Sequence, residues 1–209
     1  YLWIDSLCII QDDVEDWQKE AAKMSSIFQF ADIVLSAASA MNATEGLGIN
    51  SSFEPALALE ITSTDTRRNE SQSEKWHMRN LYSSMLPRFI ALSPIGARGW
   101  IFQELLLAQR VLYIYKGQLV WQCHCLIETE DCGVSTTSNI SLEPDIRGGG
   151  KSMHEWWRLM DDFLSRDFTK AEDTIPALAG LIDLWQISTG DTSVLGLWQN
   201  DLPLHMCWF

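Results

Sequence analysis

Basic residues are scarce in this sequence. Fifteen Lys and Arg stand against 28 Asp and Glu, giving a formal net charge of -13. No basic run interrupts that excess. A surface of this sign repels phosphate backbones and anionic headgroups, which excludes nucleic-acid or membrane-surface binding as the main task. Long apolar runs are missing too: none approaches the roughly 18 residues needed to span a bilayer. The opening Tyr1-Leu-Trp-Ile-Asp5 has neither a Met nor a basic stretch before it, so it is no signal peptide. It reads as a buried strand, and a chain that opens on one is expected to be a piece with something N-terminal removed.

The five cysteines (Cys8, Cys123, Cys125, Cys132 and Cys207) are an odd number without a secretory signal. Free thiols and a cytoplasmic location are the expectation. Several familiar fingerprints are also absent. There is no P-loop, no glycine-rich dinucleotide motif and no Gly-x-Ser-x-Gly elbow, so no bound cofactor is expected.

What is present is apolar and aromatic. The chain is 46% hydrophobic over 209 residues, with ten Trp. Rings of that size need a large, well-packed interior. Residues 1–5 read as a strand and residues 33–38 as another. Between them, Asp12 and Glu15 have capping-box spacing. Val14, Trp17, Ala21, Met24, Phe28 and Ala31 recur at helical spacing. Strand, helix, strand at this distance predicts a parallel pair. Residues 41–95 are polar and read as a long irregular insertion, with one strand at 56–61 and His77 on the surface. Helical character returns at 100–108. Strands at 111–115 and 118–123 follow, joined at Lys116-Gly117 as a hairpin. A linker covers 126–152, ending in Gly148-Gly-Gly150. Helices are expected at 153–164, with Trp157, Met160 and Leu164 on the packed stripe, and at 175–187, with Pro176 near the start. The fold class is α/β: an open sheet with parallel strands, then a β-hairpin and C-terminal helices.

Candidate site residues fall in two stretches. Asp5 stands at the end of the first strand, where open α/β sheets bind ligands. Its plain alternative is a loop carboxylate that bonds nearby N–H groups. Cys8 lies in the same loop, and its plain alternative is a small apolar filler. Trp100 and Glu104 are four apart on a helix and share a face. A ring beside a carboxylate suits a nucleoside or sugar, while the bland reading is a core Trp with a Glu paired to Arg98 or Arg110. Cys123-His124-Cys125 places its two thiols on one face of a strand and the imidazole on the other, which is poor zinc spacing. No metal site is expected.

Three motifs carry a resemblance: residues 1–11 continuing through Asp16-Trp17 and Met24 to Ala31-Asp-Ile-Val34; Arg98-Gly-Trp-Ile-Phe-Gln-Glu104 with Arg110-Val-Leu112 and Gln118-Leu-Val-Trp-Gln-Cys123; and Glu172-Asp-Thr-Ile-Pro-Ala-Leu-Ala-Gly180. Together they resemble the heterokaryon incompatibility (HET) domain of filamentous fungi. The HET domain is then residues 1–125 with its first strand, Ser-Tyr-x-Trp-Gly in the family, missing, and 153–209 a helical C-terminal region. The family often has Ala where Gly99 stands. The resemblance implies non-self recognition ending in programmed cell death, with other incompatibility or signalling domains as partners. The order of elements with Trp-x-x-x-Glu is distantly similar to TIR domains, which implies a TIR-like or flavodoxin-like open sheet. The same likeness implies Glu104 as a catalytic carboxylate for NAD cleavage, NAD being substrate and not cofactor, with Trp100, Asp5, Arg98 and Cys8 binding it. Two other readings stand beside it. One is a non-enzymatic death-signalling module acting through homo-oligomerisation, and the other is a nucleotide-binding switch.

Overall fold

The computed structural model describes residues 1–47, 57–65, 70–78, 93–115, 118–130, 136–137 and 153–206. The expected turn at Lys116-Gly117 and most of the expected linker, including 138–152, lie outside them.

Residues 1–4 form no strand. The chain runs extended into a single helical turn, α1 (Asp5–Cys8), so the expected first strand is corrected to a lead-in. No described strand pairs with these residues, and Tyr1, Leu2 and Leu7 are exposed. Helix α2 (Val14–Phe30) is present as expected, but its cap is Asp13 and not Asp12. The Asp13 Oδ1 accepts the N–H groups of Glu15 at 2.9 Å and Asp16 at 3.0 Å, satisfying two donors that the first turn leaves open. Met24 and Phe28 form its buried stripe, while Val14 at the helix start is exposed.

The main sheet follows the order β1 (Val34–Ser36), β4 (Arg110–Tyr115), β5 (Gln118–Cys123), β6 (Leu126–Thr129) and β7 (Thr136–Thr137). The stretch expected to be linker thus opens with two short strands, β6 and β7. The strands β2 (Leu57–Asp65) and β3 (Glu70–Met78) form a separate antiparallel pair. The insertion expected to be irregular therefore contains a hairpin, and His77 lies on its second strand. In the main sheet the β1–β4 pair is parallel, with Val34 opposite Val111. The other described pairings are antiparallel. The α/β class and the hairpin at β4–β5 hold. Parallel pairing among the described strands is confined to that one pair, and β1 finds its parallel partner in β4 rather than in residues 1–5.

Helix α3 (Gly99–Leu107) lies between β1 and β4 in the chain and organises the interior. Ile101, Phe102, Gln103, Leu106 and Leu107 are all buried, so little of its surface meets water. One side packs with Met24 and Phe28 of α2. Another, through Phe102 and Leu106, packs with helices α4 (Met153–Leu164) and α5 (Pro176–Thr189) and with Trp198. In α4 the buried stripe is Trp156, Leu159 and Phe163. The expected stripe was offset by one residue: Trp157 and Leu164 face outward, at 44% and 71% exposure. Trp156, Trp185 and Trp198 form a fully buried ring cluster, with centroids 4.9 to 6.2 Å apart. Offset and edge-on contacts at such spacings stabilise beyond area burial alone.

Candidate active site

The candidate site is assembled where Asp5, the first residue of α1, comes within electrostatic reach of Glu104 on α3. The loop after α1 is fixed by polar contacts. The Asp16 carboxylate, in the first turn of α2, accepts the Ile10 N–H at 2.9 Å. The Gln11 amide donates to the Ile9 carbonyl at 3.0 Å and the Asp5 carbonyl at 3.3 Å. These bonds account for the Gln11 and Asp16 of the first motif. The exposed Asp5 carboxylate accepts the Ser6 N–H at 2.7 Å through Oδ1.

Helix α3 begins with Arg98 at its N-cap position. Two backbone bonds pin that entry: Gly99 N–H donates to the Asp167 carbonyl at 2.8 Å, and Asp167 N–H donates to the Ala97 carbonyl at 2.7 Å. The Phe168 ring lies over Gly99, where a Cβ would meet its carbons at 2.1 to 2.5 Å. The Ala that the family often carries here does not fit beside Phe168 in its present position.

Glu104 is half-buried on α3, and both Arg98 and Asp5 are close enough for their charges to act on it. Burial is the largest influence and pushes the Glu104 carboxyl up, the Arg98 guanidinium pulls it down, and the Asp5 carboxylate pushes it up again. The result is a pKa raised to about 7. Three of the five expected residues, Asp5, Arg98 and Glu104, are therefore brought together from opposite ends of the first half of the chain.

Trp100 is part-buried and anchored in place. Its indole N–H donates to the Asp173 carboxylate at 3.2 Å, and its ring meets Trp17 edge-on at 6.2 Å. Cys8 is an exposed free thiol at the end of α1. Sequence reasoning missed the supports behind the site. The buried Gln103 accepts the Gly180 N–H through Oε1 at 2.8 Å. Gly180 itself lies so close that a Cβ there would come within 2.3 Å of Ser25 and 2.9 Å of that oxygen. Asp173 and Gly180, both from the third motif, thus hold two α3 residues, Trp100 and Gln103, on the turn that leads to the carboxylate. Their signal was visible only as an unexplained motif. Among the described residues no cluster of three His, Cys, Asp or Glu could hold a metal ion.

An α/β domain with a half-buried carboxylate, tuned toward neutrality and held beside a guanidinium, is the class these features define. Residues 1–104 match the model of the family "Heterokaryon incompatibility protein (HET)". The chain belongs to this family through that segment, whose last residue is Glu104. No curated protein and no solved structure matches the chain. No helix among the described residues is long and apolar enough to cross a membrane.

Proposed function

We propose that this chain serves heterokaryon incompatibility as a cell-death effector that cleaves NAD, with Glu104 as the catalytic carboxylate. The family membership supports the first part. The observation that supports the second is Glu104 itself, half-buried within electrostatic reach of Arg98 and Asp5, with its carboxyl raised to about 7. A structural surface Glu has no reason to pay that desolvation penalty.

In the proposed reaction the bond between the nicotinamide nitrogen and the ribose C1′ breaks. The electron pair leaves with the ring, which departs neutral, and water adds at C1′ with loss of a proton. The leaving group carries its positive charge from the start, so no acid is needed. The ionised Glu104 would accept from a ribose hydroxyl and stabilise the oxocarbenium character of the transition state. A cationic nicotinamide in the site would lower the Glu104 pKa and favour the charged form. In this reading Arg98 serves the phosphates, Asp5 the second ribose edge, and Trp100 offers the margin of its ring. Cys8 lines the loop.

The test is to express the natural protein with and without Glu104→Gln and to follow cellular NAD alongside viability. The reading expects NAD to collapse before death in the wild type and to persist in the Glu104→Gln variant. Death at unchanged NAD overturns it. The second reading, a non-enzymatic module that signals by homo-oligomerisation with other incompatibility or signalling domains, expects Glu104→Gln to remain toxic.

A further inference from the structure

Strand β5 ends at Cys123, the chain bends at His124 and Cys125, and β6 begins at Leu126. Cys123 is half-buried and Cys125 is exposed, and both are free. The Cys123 sulfur is surrounded by donors. The backbone N–H groups of Cys125 and Leu126 turn back to it, and the Trp121 side chain, on the same face of β5, hydrogen-bonds it. Arg110 stands directly across the ladder, opposite Cys123 in register, and adds its positive charge. Burial pushes the thiol up, but the N–H groups, Trp121 and Arg110 outweigh it and hold Cys123 below the ordinary thiol range. Nothing in the proposed NAD chemistry uses this cluster, which sits at the C-terminal end of β5.

We infer that the Cys123-His-Cys125 bend is a peroxide-responsive dithiol, in which Cys123 is the attacking thiol and Cys125 the resolving one. The geometry supplies both parts. A donor-lined, accessible sulfur is the kind that reacts as thiolate. A second thiol two residues on, across a bend, has its Cα roughly 5–7 Å away, which overlaps the spacing a disulfide bridges. In the first step the Cys123 thiolate attacks one peroxide oxygen. The S–O bond forms, the O–O bond breaks, and hydroxide leaves and is protonated to water. In the second, the Cys125 sulfur attacks the sulfenic sulfur. The S–S bond forms, the S–O bond breaks, and the second water departs with the thiol proton. The two thiols lose two electrons and the peroxide gains them.

The experiment treats the full chain with stoichiometric hydrogen peroxide and maps the products by peptide mass spectrometry, with dimedone present as a sulfenic-acid trap. The expected result is an intrachain Cys123–Cys125 disulfide that forms at least about 5-fold faster than oxidation of the exposed Cys8. In Cys125→Ser the disulfide is lost and dimedone accumulates on Cys123. In Cys123→Ser the remaining Cys125 stays reduced over the same time. Preferential reaction at Cys8, or no adduct on Cys123 in Cys125→Ser, overturns the inference. The wild-type map decides the question even where a variant folds poorly.

Discussion

Glu104 is under opposed influences, and their balance has consequences that solution measurements can read. Burial resists its charge and Arg98 favours it, leaving a carboxyl at about 7 where an unfolded chain would titrate near 4.5. A raised acid pKa means that the folded state holds the proton longer than the unfolded state. Below about 4.5 both states are protonated and Glu104 contributes no pH dependence. Between about 4.5 and 7 the folded state binds more protons, so stability falls as pH rises, and the full cost stands above about 7. For a half-buried group that cost is on the order of 1–3 kcal/mol. Glu104→Gln is therefore expected to stabilise the protein at slightly alkaline pH and to flatten its stability profile across that window. Urea melts of both proteins at a series of pH values check this. An unchanged pH dependence would show that Glu104 is not desolvated, and would remove the observation on which the enzymatic reading depends. The helix face that carries Glu104 was legible from Trp-x-x-x-Glu spacing, whereas Asp5 was reached from a strand that does not form and now opens a helical turn. The titration of Glu104 was not legible, because desolvation depends on which residues cover it, and spacing within one helix does not carry that.

At the scale of elements, the contact between α3 and α5 turns on the absence of a side chain. The Gly180 backbone approaches α3 closely enough for its N–H to reach Gln103 Oε1, and the space a methyl would need is already held by Ser25, that oxygen and Leu107. Gly180→Ala is expected to force the helices apart and to cost about 1–3 kcal/mol. Gln103→Leu keeps the volume but leaves a buried N–H without that acceptor, costing about 1–3 kcal/mol. Thermal or chemical melts measure both. The two should be strongly non-additive, since they break one contact. Helices α2, α4 and α5 were legible because their apolar residues recur at helical spacing. The one-residue offset in α4 arose because Trp156 and Trp157 are adjacent, and periodicity alone does not say which ring turns inward. The Asp12–Asp13 doublet posed the same problem at the α2 cap. Residues 1–5 were misread because a run of apolar residues looks alike in a buried strand and in an extended lead-in. Only the missing hydrogen-bonding partner separates the two.

For the whole molecule, the shared interior decides what counts as a folding unit. Phe102 and Leu106 belong to α3, which straddles the end of the segment that matches the family, and they pack in one cluster with Trp156, Phe163, Leu181, Trp185 and Trp198. Asp167 supplies backbone bonds to the α3 entry on both sides, and Asp173 supplies the acceptor for Trp100. Removing residues 153–209 would strip one whole face of α3, exposing two large apolar side chains and orphaning the Trp100 N–H and the Gln103 amide oxygen. Each fully buried large side chain contributes about 1.5–3 kcal/mol through burial, against a typical net domain stability of about 5–15 kcal/mol. A fragment of residues 1–152 is therefore expected to lose cooperative unfolding and to bind hydrophobic dyes, although it contains the entire family-matched segment. Circular dichroism melts of the fragment beside the full chain, together with dye binding, measure this. A fragment that melts cooperatively, with native-like near-ultraviolet signals, would show that α3 finds enough cover from α2 and the sheet alone. A milder version separates packing from the backbone bonds. Trp198→Ala removes a fully buried ring from the cluster, and is expected to cost about 3–5 kcal/mol while leaving the Asp167 and Asp173 contacts intact. If that variant keeps the Glu104 titration near its wild-type value, the site is held by the hydrogen bonds to α3. If the titration drifts toward the ordinary carboxylate range, the aromatic cluster is what keeps α3 seated and Glu104 covered.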